Sequence, residues 1–273
     1  MTATARAHAD SAIWVSRSDW PAIPGSFTCL VLLDRPGDRR VCLLSAQHVL
    51  SPYGDADGTD VDGGWPLLPC ASTGTAIDAP TLGRTLAIGG LMQGDLRESP
   101  RNFDAQLAEP DARMIPLIPL RRFHPTRPWV RSPVELETLK QQDADQFRLL
   151  TPDNAALPRG AIPLRCVRLP AEDRVVDVTY LLSRDDRATE STVRHRQLVE
   201  FEATTEAMAM AGDSGGPVVV THADGTMTLV AMHIAGNERG AAWAIPAWRL
   251  FDPACWAFWP SGATIRPMDV PGA

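Results

Sequence analysis

Cysteine is scarce in this sequence, and its distribution excludes two common ways of stabilising a protein. The 273 residues include five cysteines, which lie far apart and form no Cys-x-x-Cys pair. Neither a disulfide framework nor a zinc site is therefore expected. Free buried thiols are typical of a reducing compartment, so the sequence predicts a cytoplasmic protein. No spacing typical of another metal site or of a cofactor site occurs, so we expect no cofactor.

Basic clusters and long apolar runs are also absent from the sequence. The formal net charge is −7 and the pI is about 5.4, so a nucleic-acid partner is not expected. No apolar run approaches the roughly 18 residues that a membrane-spanning helix needs. The first ten residues, interrupted by Arg6 and Asp10, contain no apolar core of signal-peptide length. We therefore expect neither membrane insertion nor secretion.

Helical periodicity is weak, whereas turn-forming residues are abundant. The chain has 20 glycines and 24 prolines, and short apolar or alternating stretches recur between turns. One short helix is predicted over residues 134–142, a hairpin over residues 26–44, a loop over residues 51–80 and one strand over residues 191–201. The pattern predicts an all-β protein with two β-barrels. The predicted parts are an N-terminal leader (1–22), a first barrel (23–115), a linker (116–160), a second barrel (161–250) and a C-terminal cap (251–273).

The most informative stretch is Gly-Asp-Ser-Gly-Gly-Pro at residues 212–217, followed by three valines. A serine hydroxyl becomes a nucleophile when a base takes its proton and fixed donors hold the resulting negative charge. Glycines around Ser214 let the backbone bend sharply, and the valines predict a buried strand that holds the loop. A solvent-exposed turn is the alternative, because each residue of the motif favours turns. An α/β-hydrolase elbow is excluded, since only 59 residues (273 − 214) follow Ser214.

The base and its orienting acid must therefore precede Ser214. Of the six histidines, His48 follows Leu-Ser-Ala-Gln at the predicted end of a strand. An imidazole titrates near neutrality and suits proton transfer, and a hydrogen-bonded structural histidine is the alternative. Asp104, in Asn-Phe-Asp-Ala-Gln-Leu-Ala, is the preferred acid. Its rivals Asp62 and Asp95 lie in turn-like stretches, where Asp is common for local reasons.

These three stretches, in the order His, Asp, Ser, resemble the trypsin/chymotrypsin family of serine proteases, and its bacterial members in particular. The resemblance implies two six-stranded antiparallel β-barrels with the active site in the cleft between them. It implies a serine endopeptidase in which Ser214 forms an acyl-enzyme, His48 acts as general base and acid, and Asp104 orients His48. The backbone N–H groups of Gly212 and Ser214 would form the oxyanion hole.

The same resemblance implies a substrate pocket built from residues before Ser214 and from a later strand. Met208 and Met210 predict a preference for apolar side chains, because a thioether cannot pair with a cation. His233, in Met-His-Ile-Ala-Gly-Asn, resembles the histidine that binds Glu or Gln side chains in glutamyl endopeptidases and viral relatives, so it would favour those residues instead. Ala235 and Gly236 would pair with the backbone of an extended peptide.

The expected partner is thus a protein or peptide substrate, and no motif identifies a regulatory protein partner. Two alternatives stay open: a binding module that keeps the fold without catalysis, and an esterase with a shallow site. A complete set of Ser, His and Asp argues against the binding module, which needs none of these three side chains.

Overall fold

The computed structural model describes residues 14–17, 20–50, 66–70, 80–92, 102–118, 120–142, 147–151, 161–184, 187–205, 209 and 212–268. Within these ranges the chain is mostly β, which confirms the predicted all-β class. The strands are β1 (Trp14–Arg17), β2 (Trp20–Ser26), β3 (Cys29–Arg35), β4 (Asp38–Ser45), β5 (Pro66–Cys70), β6 (Gly83–Gly89), β7 (Gln106–Pro110), β8 (Phe147–Leu150), β9 (Ala161–Arg168), β10 (Val175–Arg184), β11 (Arg187–Arg196), β12 (Val199–Ala203), β13 (Pro217–Thr221), β14 (Met227–Gly236), β15 (Ala241–Pro246) and β16 (Thr264–Pro267).

Helices are short and few in the described part of the chain. Helix α1 (Gln47–Leu50) follows β4, α2 (Pro133–Gln142) precedes β8, and α3 (Ala247–Leu250) follows β15. Helix α2 is the one that the sequence predicted, and its first turn is capped by the Ser132 hydroxyl, which accepts from Glu135 N at 3.2 Å. None of the described helices has the length and apolar character that crossing a membrane requires.

The first half of the chain, joined by β16 from near its end, folds into an antiparallel sheet in the order β16-β3-β4-β7-β6-β5-β1-β2. Strands β3 and β4 form the predicted hairpin around Pro36 and Gly37, and Gly37 supplies the positive φ that the turn needs. Strand β4 is buried along its second half and leads directly into α1. The end of β4 is therefore held in the core immediately before His48.

The second half forms a closed barrel of six strands in the order β12-β15-β14-β13-β8-β9. Strand β13 directly follows residues 212–216, which we call the Gly-rich loop. The side chains of β13 alternate between its two faces. Val218 and Val220 pack in the barrel core, while Val219 packs in the core of the first half. Because both faces of β13 are buried, its start is fixed, and with it the position of Ser214.

The structure differs from the predicted domain boundaries in three places. Strand β1 begins inside the predicted leader and pairs with β2 and β5. Strand β8 lies inside the predicted linker and closes the barrel between β9 and β13. Strand β16 lies inside the predicted cap and pairs with β3. With these additions the first sheet has eight strands in the described ranges, where a six-stranded barrel was expected.

Strands β10 and β11 form a separate two-stranded hairpin. The sequence predicted one strand over residues 191–201, but the structure divides it into β11 and β12. The break lies at Gln197, whose φ of 58° is incompatible with an extended strand. The inner face of the hairpin, with Val178 and Val193, packs against Met92 and Ala235. The hairpin therefore contacts both halves of the chain.

Buried hydrogen bonds attach the Gly-rich loop to the first sheet. Ser26 N donates to Ser214 O at 2.7 Å, and the Ser26 hydroxyl donates to Gly212 O at 3.1 Å. The Thr28 hydroxyl donates to Gly215 O at 2.8 Å. These bonds satisfy loop carbonyls that burial would otherwise leave without partners, so the loop and the first sheet form one unit.

Replacing Gly215 by alanine is expected to lower the free energy of unfolding by at least about 3 kcal/mol. Gly215 has a φ of +87°, and a methyl group there would overlap the Ser26 carbonyl oxygen and the Ser45 hydroxyl. Urea unfolding measures the loss. Gly225→Ala is the matched control, because Gly225 has a φ of +76° but no atom lies within 4 Å of the added methyl group. The control should lose only about 1 to 2 kcal/mol of unfolding free energy. Equal losses in the two variants would contradict the close packing of Gly215 against the first sheet.

Candidate active site

His48 lies in α1 and makes two hydrogen bonds with one carboxylate. Its backbone N donates to Asp104 Oδ1 at 3.0 Å, and its Nδ1 lies 2.6 Å from Asp104 Oδ2. A buried carboxylate is an acceptor, so Nδ1 carries the proton and Nε2 carries the lone pair of the neutral ring. The ring is therefore held in the tautomer that can take a proton at Nε2.

Asp104 is completely buried and lies two residues before β7. Burial alone would raise the pKa of Asp104, but the facing His48 imidazole and the hydrogen bonds from His48 together outweigh it and lower that pKa. The carboxylate is therefore ionised at neutral pH. A buried negative charge of this kind is stable only with close donors, which explains why both of its oxygens face His48.

Ser214 lies in the loop between residue 212 and β13, and its side chain is partly exposed. The loop is attached to β14 by two backbone bonds of 2.8 Å, from Gly215 N to His233 O and from His233 N to Gly216 O. The Ser214 hydroxyl donates to the carbonyl oxygen of Ile234 at 3.3 Å. The nucleophile predicted from the sequence is thus held by neighbouring backbone on both sides.

The loop of Ser214 and the helix of His48 meet at one end of β4. The Ser45 hydroxyl at the end of β4 donates to Ser26 O at 2.5 Å, and Ser26 in turn binds the carbonyl oxygen of Ser214. His48 follows Ser45 by three residues, and Gly215 packs closely on Ser45. The structure therefore brings the predicted base and acid into contact and packs the serine loop against the strand that leads to the base.

The predicted pocket residues are only partly described. Met208 and Met210 lie outside the described residues. His233 is buried in β14, and a methyl group built on Gly236 would lie 3.7 Å from His233 Cε1 and 3.2 Å from Ala209 Cβ. Ala209, His233 and Gly236 are therefore close neighbours, and they leave little room, since the same methyl group would lie 3.1 Å from the Ala241 carbonyl oxygen. Ala235 instead packs against the hairpin of β10 and β11.

Two residues of the site escaped the sequence reasoning, Tyr180 of β10 and His195 of β11. The Tyr180 ring lies 4.6 Å from the His48 ring, measured between centroids, and its hydroxyl lies 2.9 Å from His195 Nε2. Both side chains are buried. The only available signal was the strand alternation that puts Val178 and Tyr180 on the same face. Nothing in that alternation identifies the neighbours of this face.

Burial and the Asp104 carboxylate determine the protonation of these two residues. Burial, followed by the charge of Asp104 and an interaction with its carboxylate, raises the pKa of Tyr180 well above its usual value. Burial lowers the pKa of His195 from 6.5 to about 4. At neutral pH both side chains are therefore uncharged. Within the described ranges no group of three or more His, Cys, Asp and Glu side chains is arranged to hold a metal ion.

Comparisons with solved structures give matches at low sequence identity. No protein-family model matches the chain, and neither does any curated protein. The NS6 protease of murine norovirus 1 is 12% identical over 90% of this chain and 93% of that one, with a TM-score of 0.37. The HRV-C 3C protein with rupintrivir is 13% identical over 87% and 91%, with a TM-score of 0.37. Likeness at this level establishes no shared function, which must be argued from the site itself.

Replacing His195 by glutamine is expected to weaken the pH dependence of stability between pH 7 and pH 4. His195 is neutral in the fold because burial lowers its pKa to about 4, whereas the unfolded chain takes up the proton near 6.5. The wild-type protein should therefore lose about 3 kcal/mol of unfolding free energy at this residue as the pH falls through that window. Urea unfolding of both proteins at pH 7 and pH 4 measures the difference, and identical losses would contradict the predicted titration.

Proposed function

We propose that this protein is a serine endopeptidase of the chymotrypsin-like kind. The observation that carries the proposal is the 2.6 Å contact between His48 Nδ1 and the buried carboxylate of Asp104, next to the docked loop of Ser214. Burying a charge is costly, and a fold that does so beside a histidine gains an oriented base. A binding surface has no need of this arrangement.

In the proposed mechanism Ser214 attacks the carbonyl carbon of the scissile peptide bond. Rotation of its side chain releases the bond to Ile234 O and turns the hydroxyl towards His48 Nε2, which takes the proton as the Oγ–C bond forms. His48 then gives this proton to the leaving amine, and the peptide C–N bond breaks to leave the acyl-enzyme. Water, activated in turn by His48, hydrolyses the ester. Asp104 stabilises the imidazolium in both steps.

The oxyanion that forms in each step needs donors that are already in place. The backbone N–H groups of Gly212 and Ser214 are proposed for this role. Ser26 and Thr28 fix the loop through its carbonyl groups, so these N–H groups do not have to reorganise during the reaction. Glycine at position 212 supports the role, because its φ of +99° suits a residue without a side chain.

The thiols of the chain support serine rather than cysteine as the nucleophile. The four cysteines whose side chains are described (Cys29, Cys42, Cys166 and Cys255) are free. Burial raises the pKa of Cys29 and of Cys42 to about 12 and that of Cys166 to about 11. Such thiols are protonated and unreactive at neutral pH. Free thiols persist in reducing compartments, so a cytoplasmic location is part of the proposal.

The proposed substrate is an extended peptide that adds a strand to β14. Pairing between β13 and β14 ends at Pro217 and Met232, whereas β14 continues to Gly236. Residues 234–236 are therefore not paired with β13, and a peptide could hydrogen-bond there. The surface beside Ala209, His233 and Gly236 would contact the side chain before the scissile bond. An apolar side chain is the first candidate, and Glu or Gln, bound by His233, is the second.

A binding module without catalysis is the second candidate function. The observation that favours it is the hydrogen bond from the Ser214 hydroxyl to Ile234 O, because a hydroxyl held there does not donate to a base. Catalytic hydrogen bonds often form only when substrate is bound, so this bond is also compatible with a resting enzyme. Chemical labelling of Ser214 separates the two functions.

A fluorophosphonate probe is expected to label the wild-type protein at Ser214. Ser214→Ala should abolish labelling and lower peptide turnover by about a million-fold, because the nucleophile is lost. Mass spectrometry of the labelled chain identifies the site, and cleavage of a peptide library gives the turnover and the sequence preference.

Ser261→Ala is the matched control for labelling, because Ser261 lies in an exposed turn. It should label like the wild-type protein. Absence of wild-type labelling under every condition would contradict the proposed peptidase activity and favour a binding module. Turnover of esters but not of peptides would favour an esterase.

Replacing Gly236 by alanine is expected to lower kcat/KM for peptides by about tenfold or more. The added methyl group would crowd Ala209 and the Ala241 carbonyl oxygen, beside which the substrate side chain is proposed to bind. Labelling of Ser214 by a small fluorophosphonate should change less, because that reaction does not need the pocket. Steady-state kinetics with peptides of different size before the scissile bond measure the effect. Unchanged kinetics for every peptide would show that the pocket lies elsewhere.

A further inference from the structure

The hairpin of β10 and β11 places two buried polar side chains directly over the His48–Asp104 pair. The Tyr180 ring packs on the His48 ring at 4.6 Å between centroids. The Tyr180 hydroxyl lies 2.9 Å from His195 Nε2, and Tyr180 also interacts with the buried Asp104 carboxylate. Neither residue has a role in the mechanism described above, yet both are buried at its centre.

The direction of each hydrogen bond follows from which groups can donate. The Asp104 carboxylate accepts only, so a hydrogen bond between it and Tyr180 uses the single proton of the Tyr180 hydroxyl. The Tyr180 oxygen must then accept from His195 Nε2–H. A neutral His195 has one N–H, so its Nδ1 carries none. Within the described residues Nδ1 is in fact a buried atom without a hydrogen-bond partner, and a bare acceptor is cheaper to bury than an N–H donor.

The hairpin is anchored on both sides of this pair. The Asn102 side chain, two residues before Asp104, donates from Nδ2 to Arg194 O at 2.7 Å. Arg249 of α3 donates from Nη1 to Arg196 O at 3.0 Å. His195 thus lies between two backbone positions that are tied to the first sheet and to the end of the barrel. Such anchoring restricts the movement of His195 and, through it, of the Tyr180 hydroxyl.

We propose that Tyr180 and His195 are positioning residues for the reaction. In this arrangement His195 Nε2–H donates to the Tyr180 oxygen, and the Tyr180 hydroxyl donates to the Asp104 carboxylate, which stays aligned with His48 Nδ1. The proposal rests on the proposed function and extends the His48–Asp104 pair to a chain of four groups. Supporting donors around a catalytic or metal-bound group typically contribute about 10- to 100-fold to its performance.

Tyr180→Phe tests the proposal, because it removes the hydroxyl and keeps the ring that packs on His48. We expect kcat for a peptide substrate to fall by about tenfold while KM stays within about twofold, since the substrate pocket is untouched. We also expect a change in the downfield proton NMR resonance of His48 Nδ1–H, which reports the short bond to Asp104 directly. A merely structural role for Tyr180 would leave this resonance in place.

Thr179→Val is the matched control on the same strand. The Thr179 hydroxyl lies 3.0 Å from the Thr192 hydroxyl on the exposed face of the hairpin, so this variant also removes one side-chain hydrogen bond from β10. Both kcat and the resonance should stay at wild-type values. His195→Gln retains an N–H donor and should preserve most of kcat, whereas His195→Leu removes it and should lower kcat like Tyr180→Phe.

The outcomes separate this proposal from the proposed function. An active wild-type enzyme whose kcat and resonance are the same in Tyr180→Phe overturns the positioning role and leaves the peptidase intact. A protein without hydrolytic activity overturns the peptidase, and the resonance alone then decides whether Tyr180 aligns Asp104. A fall in kcat of equal size in Thr179→Val would also count against the proposal, because the effect would belong to the hairpin in general.

Discussion

A single buried negative charge, the carboxylate of Asp104, sets the requirements for its surroundings. Taking a carboxylate out of water costs several kcal/mol unless donors replace the lost hydration. His48 supplies two donors, one from its backbone and one from its ring, and both lie in a helix that begins just after a buried strand. The position of α1 relative to β7 is therefore determined by electrostatics as much as by packing.

The same region links the two halves of the chain. Hydroxyl groups of Ser26, Thr28 and Ser45, all buried, bind the loop that carries Ser214 or the backbone that receives it. Apolar side chains alone could not do this, because loop carbonyls would be left without partners. The hairpin of β10 and β11 adds a second connection, since its inner face packs with Met92 from the first half and Ala235 from the second.

The sequence predicted the features that depend on local pattern. The hairpin of β3 and β4, helix α2 and strand β13 are found where expected, and His48 and Asp104 are in contact although 56 positions separate them (104 − 48). Strands β2 and β5 were missed because each contains two prolines, which normally argue against a strand. Tyr180 was missed because its partner His195 is reached only through the register of a hairpin, which the sequence does not specify.

Strand β16 gives the fold an order of assembly. It is the last described strand, yet it covers the outer edge of β3, pairing Thr264 with Asp34 and Pro267 with Val31. During synthesis on the ribosome this edge stays open until more than two hundred further residues have emerged. An open edge can recruit other chains, so nascent or truncated forms that lack β16 carry an aggregation hazard that the finished molecule does not.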